Sequence, residues 1–159
     1  MKRPETIIIE DALYRDLFGA NPSLAKEYGT TEVTIQRKKQ KRELVDFMSY
    51  DPRKDIFRCY EIKVSMSDFH SKAAKSWYGN YNYLVLSREL YMQQSLEEWK
   101  EQVPKHVGIL WINTDGKYKN KEVVKRPEYI DISKEEKELL KRSVIRTLFY
   151  QNNNNRKKE

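Results

Sequence analysis

An acid and an amine stand two residues apart in Phe57-Arg58-Cys59-Tyr60-Glu61-Ile62-Lys63-Val64, a run of β-forming composition. Side chains alternate across a strand, which puts Glu61 and Lys63 on one face and Tyr60, Ile62 and Val64 on the other. A second short apolar run, Leu44-Val45-Asp46-Phe47-Met48, comes before it and carries one embedded acid. The turn-like Asp51-Pro52-Arg53-Lys54-Asp55 separates the two. Paired as a hairpin, they would let Asp46 and Glu61 bind one divalent cation with Lys63 beside it. Phosphodiester hydrolysis needs a nucleophilic water and neutralised charge on the phosphate, and Mg²⁺ or Mn²⁺ supplies both. Such hard ions take carboxylate, carbonyl and water oxygens, so the Ile62 backbone carbonyl is a further candidate ligand. Lys63 can orient the water or stabilise the developing negative charge.

This constellation imposes a strict register. Asp46 faces Glu61 only if paired residues sum to 107, with the turn centred between Arg53 and Lys54. A slip of one residue would send the two acids to opposite faces. Glu-X-Lys alone is common on solvated strands. Here it gains weight from its hydrophobic neighbours, the acid on the preceding strand and the basic residues nearby.

The elements that must position these groups are readable in outline. Thr6 to Phe18 has Ile9, Leu13 and Leu17 on one helical face, with Gly19 ending it. Ser23 to Tyr28 can add a helical turn, and Thr31 to Ile35 alternates as a strand. The basic run Arg37, Lys38, Lys39, Lys41 and Arg42 then reads either as a solvated hairpin tip or as a clamp for a phosphate backbone. Ser65 and Asp68 have capping-box spacing for a helix to about Tyr78, with Phe69, Ala73 and Trp77 on its inner face. Tyr81 to Ser87 is an apolar strand suited to a sheet interior. Leu96, Trp99 and Val103 mark a short helix ending before Pro104, Val107 to Ile112 is another strand, and Asp115-Gly116 turns into Glu122-Val123-Val124. Ser133 and Glu136 open a long helix with Leu140, Val144 and Leu148 as its buried stripe. The expected fold is α/β, a mixed sheet flanked by helices, with a single domain over 1–150 and a disordered polar tail over 151–159.

Composition bounds the function. Lys+Arg 31 against Asp+Glu 24 gives a net charge of +7, a balance that suits a polyanionic partner such as nucleic acid. The single Cys59 excludes an intrachain disulfide and reads as a buried thiol, consistent with a reducing, cytoplasmic setting. Two histidines and one cysteine cannot build a Cys/His zinc site. No apolar run is long enough to suggest a signal peptide or a membrane span.

The pattern Asp46…Glu61-Ile62-Lys63 resembles the PD-(D/E)XK nuclease superfamily. The string Tyr60-Glu61-Ile62-Lys63-Val64-Ser65-Met66-Ser67-Asp68-Phe69-His70-Ser71, followed by Trp77, Gly79, Asn82-Tyr83-Leu84-Val85, Glu89-Leu90-Tyr91 and Val103-Pro104-Lys105-His106-Val107-Gly108, is similar to the MmcB-like DNA-repair group and its phage-encoded relatives. The resemblance implies a restriction-endonuclease-like core and metal-dependent DNA cleavage. It implies Asp46 and Glu61 as the metal-binding acids and Lys63 as the catalytic lysine. A further acid on the first helix or first strand would be Glu10 or Glu32, with Glu32 ranked ahead because it shares the sheet. Val45 stands where the motif has proline, which ligates nothing.

Beside this site, Asp68 reads as a helix-capping acid rather than a ligand. Lys72 and Lys75 can line a DNA approach, and Trp77, Tyr78, Tyr81 and Tyr83 suit core packing better than base stacking. The leading expectation is a metal-dependent DNA endonuclease or repair nuclease. The alternatives are a nucleic-acid-binding module of the same fold without turnover, or a mobile-element protein-interaction or inhibitor domain. The oligomeric state stays open, with a homodimer among the options.

Overall fold

The β-branched and aromatic runs assemble into one sheet, and the apolar helical stripes cover its two faces. The computed structural model of the chain describes residues 2–19, 21–70, 77–116 and 120–158. Strands β1 (Tyr28–Ile35), β2 (Glu43–Asp51) and β3 (Ile56–Lys63) form an antiparallel meander. Next, β4 (Tyr81–Ser87) and β5 (Gly108–Ile112) continue in parallel, and β6 (Lys121–Lys125) returns antiparallel. The spatial order of the six strands follows the sequence. The architecture is therefore α/β with a mixed sheet.

Helix α1 (Pro4–Phe18) lays Ile9 and Leu13 against Phe47, Ile62, Val85, Leu110 and Ile112 on one face. The other face carries two clusters. Leu140 and Val144 of α5 (Lys134–Lys157) pack on Val33, Val45, Met48, Phe57 and Cys59. Short helices α2 (Met66–Phe69), α3 (Arg88–Tyr91) and α4 (Leu96–Glu101) bring Phe69, Leu90 and Trp99 onto Leu84, Leu86 and Ile109. Helices α2, α3 and α4 thus share the α5 face, while α1 takes the opposite one.

Serine opens four of the helices. Ser65, Ser87, Ser95 and Ser133 each accept a hydrogen bond from a backbone N–H three residues on. This satisfies one of the donors a helix start leaves over. The reciprocal capping box forms at Ser95 and Glu98. At Ser133 the expected partner Glu136 turns instead to Arg37, which donates to its two carboxylate oxygens at 2.7 and 2.8 Å.

Several expectations need correcting. The Ser65 helix is described only through Phe69, its continuation over 71–76 lies outside the described residues, and Trp77 and Tyr78 are not helical. The chain at Ser23 makes a single 3-10 turn, Pro22–Leu24, and Tyr28 already belongs to β1. Leu148 is 41% exposed, so the buried stripe of α5 ends at Val144. The polar tail is not disordered up to its end, because α5 runs through Lys157. Extending a formed helix costs far less than starting one. Gln151 also ties the extension to the sheet, donating to the Thr31 carbonyl at 3.1 Å and accepting from the Thr30 hydroxyl at 2.7 Å.

Asn80 joins the start of β3 to the segment leading into α5. Its buried carboxamide accepts from the Phe57 N–H and donates to the Ile130 carbonyl, both at 2.9 Å. Gly79 precedes it where a Cβ would stand 2.8 Å from the Tyr81 carbonyl oxygen and 2.9 Å from that of Phe57. Asn80→Ala strands two backbone groups, so urea unfolding should show a loss of about 2–4 kcal/mol. An unchanged midpoint would contradict this role.

Candidate active site

The site forms where β2 and β3 part. Their partners run from Asp51–Ile56 to Phe47–Tyr60, each pair summing to 107. One step further, Asp46 stands opposite Glu61. The next residue of β3 whose N–H and C=O point at β2 is Ile62, because the groups a strand residue exchanges with one neighbour alternate along the chain. The ladder has ended there, and the Ile62 N–H donates to the Asp46 carboxylate at 2.7 Å instead. The same alternation turns the Ile62 carbonyl toward β2.

The reason for the parting is local. Val45 and Met48, three residues apart, belong to the same core cluster, whereas Phe47 packs on the opposite face. The alternation of β2 is therefore interrupted at Asp46. On the outer neighbour β1, Glu32 occupies the position facing Asp46 in the pairing series and has φ of +56°. A left-handed residue inside a strand marks a bulge-like bend.

The acid cluster lies on the α5 face of the sheet. Glu61 and Lys63 are 7% and 6% exposed. Burial raises the Asp46 pKa above the usual carboxylate range, and the Asp68 charge adds to that rise. The Ile62 N–H, the Lys63 charge and a side-chain hydrogen bond with Glu61 oppose it. The Lys63 ammonium lies 3.7 Å from the Asp68 carboxylate. Ser65 caps the backbone N–H of Asp68, which leaves its carboxylate to face Lys63. Asp68 is thus a member of the cluster that its capping position had concealed.

The oxygen donors at this point are two carboxylates and a strand carbonyl, the types a hard dication takes. Among the described residues no three His, Cys, Asp or Glu side chains are grouped to hold a metal ion.

The two acids considered as further ligands meet elsewhere. Lys2 binds Glu10 at 2.6 Å and Glu32 at 3.4 Å. Of the basic run, Arg37 is engaged by Glu136 and lies over the Tyr78 ring. Lys38, Lys39, Lys41 and Arg42 are exposed on the β1–β2 connection. Lys72 and Lys75 lie outside the described residues. Tyr83 stacks on Tyr60 at 5.0 Å, and Tyr81 carries Arg58 over its ring at 5.3 Å, both on the sheet face remote from the acids.

A raised folded-state pKa at Asp46 carries a definite sign. Ionising the group costs folding free energy. The penalty is absent below the ordinary carboxylate range and complete above the raised folded value. Asp46→Asn keeps an oxygen for the Ile62 N–H and removes the charge. Thermal melts in metal-free buffer should find this variant at least as stable as the parent at neutral pH. The advantage should vanish as the pH falls toward about 4. A variant less stable at every pH would contradict the electrostatic account.

No family model and no curated protein matches the chain. Among solved structures it is similar to the SPO1766 protein of unknown function from Silicibacter pomeroyi, with a TM-score of 0.58 and 15% sequence identity. The match covers 79% of this chain and 77% of that one. At this level of identity, what the two share is the fold.

Proposed function

We propose that this protein is a metal-dependent deoxyribonuclease of the PD-(D/E)XK type, hydrolysing phosphodiester bonds in DNA. The observation that carries the reading is the Ile62 N–H hydrogen bond to the Asp46 carboxylate, which seats Asp46 opposite Glu61 with Lys63 on the same face, at a break in the sheet. In this reading Asp46 and Glu61, with the Ile62 carbonyl, hold Mg²⁺ or Mn²⁺. Bound there, the ion would lower the pKa of its water and neutralise charge on the phosphate. The Ile62 N–H fixes the Asp46 carboxylate, and the stiffness of the β-sheet fixes Glu61. Lys63, steadied by Asp68, donates to the attacking water or to a phosphate oxygen as charge develops. The resemblance of the Tyr60–Ser71 string to the MmcB-like group supports the same reading, and the net charge of +7 suits DNA.

A second reading, a nucleic-acid-binding module without turnover, draws on the exposed Lys38, Lys39, Lys41 and Arg42 of the β1–β2 connection, which would hold a phosphate backbone with or without cleavage. The two separate in one assay on single-stranded, duplex and mismatched DNA with Mg²⁺, Mn²⁺ or EDTA. Turnover is expected with metal and none with EDTA. Glu61→Gln and Lys63→Met should each lower the rate by about 100-fold or more. Binding without products favours the second reading, and cleavage unchanged in both variants removes the site assignment.

A further inference from the structure

The β1–β2 hairpin and α5 enclose a second site away from the acid pair. Thr34, Arg42, Arg146, Tyr150 and Asn154 are among the residues lining a cavity of ≈ 380 Å³ there. Its walls are fastened to each other. Arg37 grips Glu136 with two hydrogen bonds, the Thr34 N–H donates to the Thr147 hydroxyl at 3.4 Å, and Gln151 bonds to Thr30 and Thr31. Hairpin and helix are therefore held in fixed relation to each other before any ligand arrives.

Two guanidinium groups reach this cavity, and neither pairs with a carboxylate among the described residues. The acid on its wall, Glu32, is already bound to Lys2 at 3.4 Å. Two cations facing one concavity repel each other, and an entering anion removes that cost. The planar donor fork of arginine matches phosphate oxygens. The positive surface also continues beyond the cavity. Lys38, Lys39 and Lys41 are exposed on the adjoining turn, and Arg142 is exposed one helical turn before Arg146. A small phosphorylated ligand would need only the cavity, whereas a polyanion engages the whole belt. Glu32, on the cavity wall, faces Asp46 in the β1–β2 pairing series, so the cavity and the acid site are built on adjoining strands.

We propose that Arg42 and Arg146 form a phosphate-binding pocket for the backbone of a nucleic-acid strand crossing the β1–β2 edge of the sheet. The substrate class rests on the deoxyribonuclease reading. The assignment of α5 to nucleic-acid binding does not follow from that reading and is tested separately.

Fluorescence anisotropy with labelled single-stranded and duplex oligonucleotides, in EDTA and over a salt series, tests the pocket. Arg42→Gln and Arg146→Gln should each weaken binding about 5- to 10-fold and reduce the slope of log affinity against log salt by about 1. Lys54→Gln, in the turn at the opposite end of β2, should bind like the parent. Both arginines are on the surface, and unchanged melting curves would show that folding is intact. Parent-like affinity and slope in both arginine variants overturn the pocket and leave the acid site standing. Failure of the parent to bind either oligonucleotide at about 50 mM salt overturns the pocket together with the deoxyribonuclease reading.

Discussion

One hydrogen bond, from the Ile62 N–H to the Asp46 carboxylate, organises the candidate site. In an uninterrupted hairpin the Ile62 N–H would pair with β2 backbone, and Asp46 would be one more side chain on a flat sheet. Because β2 changes phase at Asp46 and β1 bends at Glu32, the ladder stops and a backbone donor is left over at depth. A buried donor without a partner is costly, so a carboxylate at this position closes the gap and is itself held in place. The strand break and the acid therefore depend on each other.

Several structural choices preserve that arrangement. The α1 stripe secures the far face through Ile62 and Phe47, which pins the backbone on both sides of the break. On the near face, α5 covers Val45, Met48 and Cys59, and the α2–α4 cluster covers Leu84 and Leu86. Glu61 and Lys63 alternate with Ile62 between those two covers. Burial raises the Asp46 pKa, while the nearby N–H and ammonium keep ionisation within reach.

Much of this was legible in the residues, for physical reasons. A turn centred between Arg53 and Lys54 sets the β2–β3 register, and a side-chain period of two then determines which residues share a face. The boundaries of β4 follow from its apolar run between Gly79 and the capping Ser87. Tertiary partners were harder to see. Glu136 has capping-box spacing, yet Arg37 from a distant hairpin supplies a stronger charged partner. The Asn-rich end of α5 has a disordered composition, but Gln151 anchors it to β1. Lys2 captures Glu10 and Glu32, and sequence spacing gives no sign of that three-way contact. Asp68 was hidden differently, since its backbone N–H fills the cap while its carboxylate turns to Lys63.

On the proposed reading, Asp46 and Glu61 together offer a binding place for a hard dication. Mn²⁺ binding followed by electron paramagnetic resonance addresses it without requiring turnover or DNA. Saturable binding is expected, weakening as the pH falls toward the raised Asp46 pKa and lost in both Asp46→Asn and Glu61→Gln. Equal Mn²⁺ binding by the parent and both variants, or none by the parent, would contradict it.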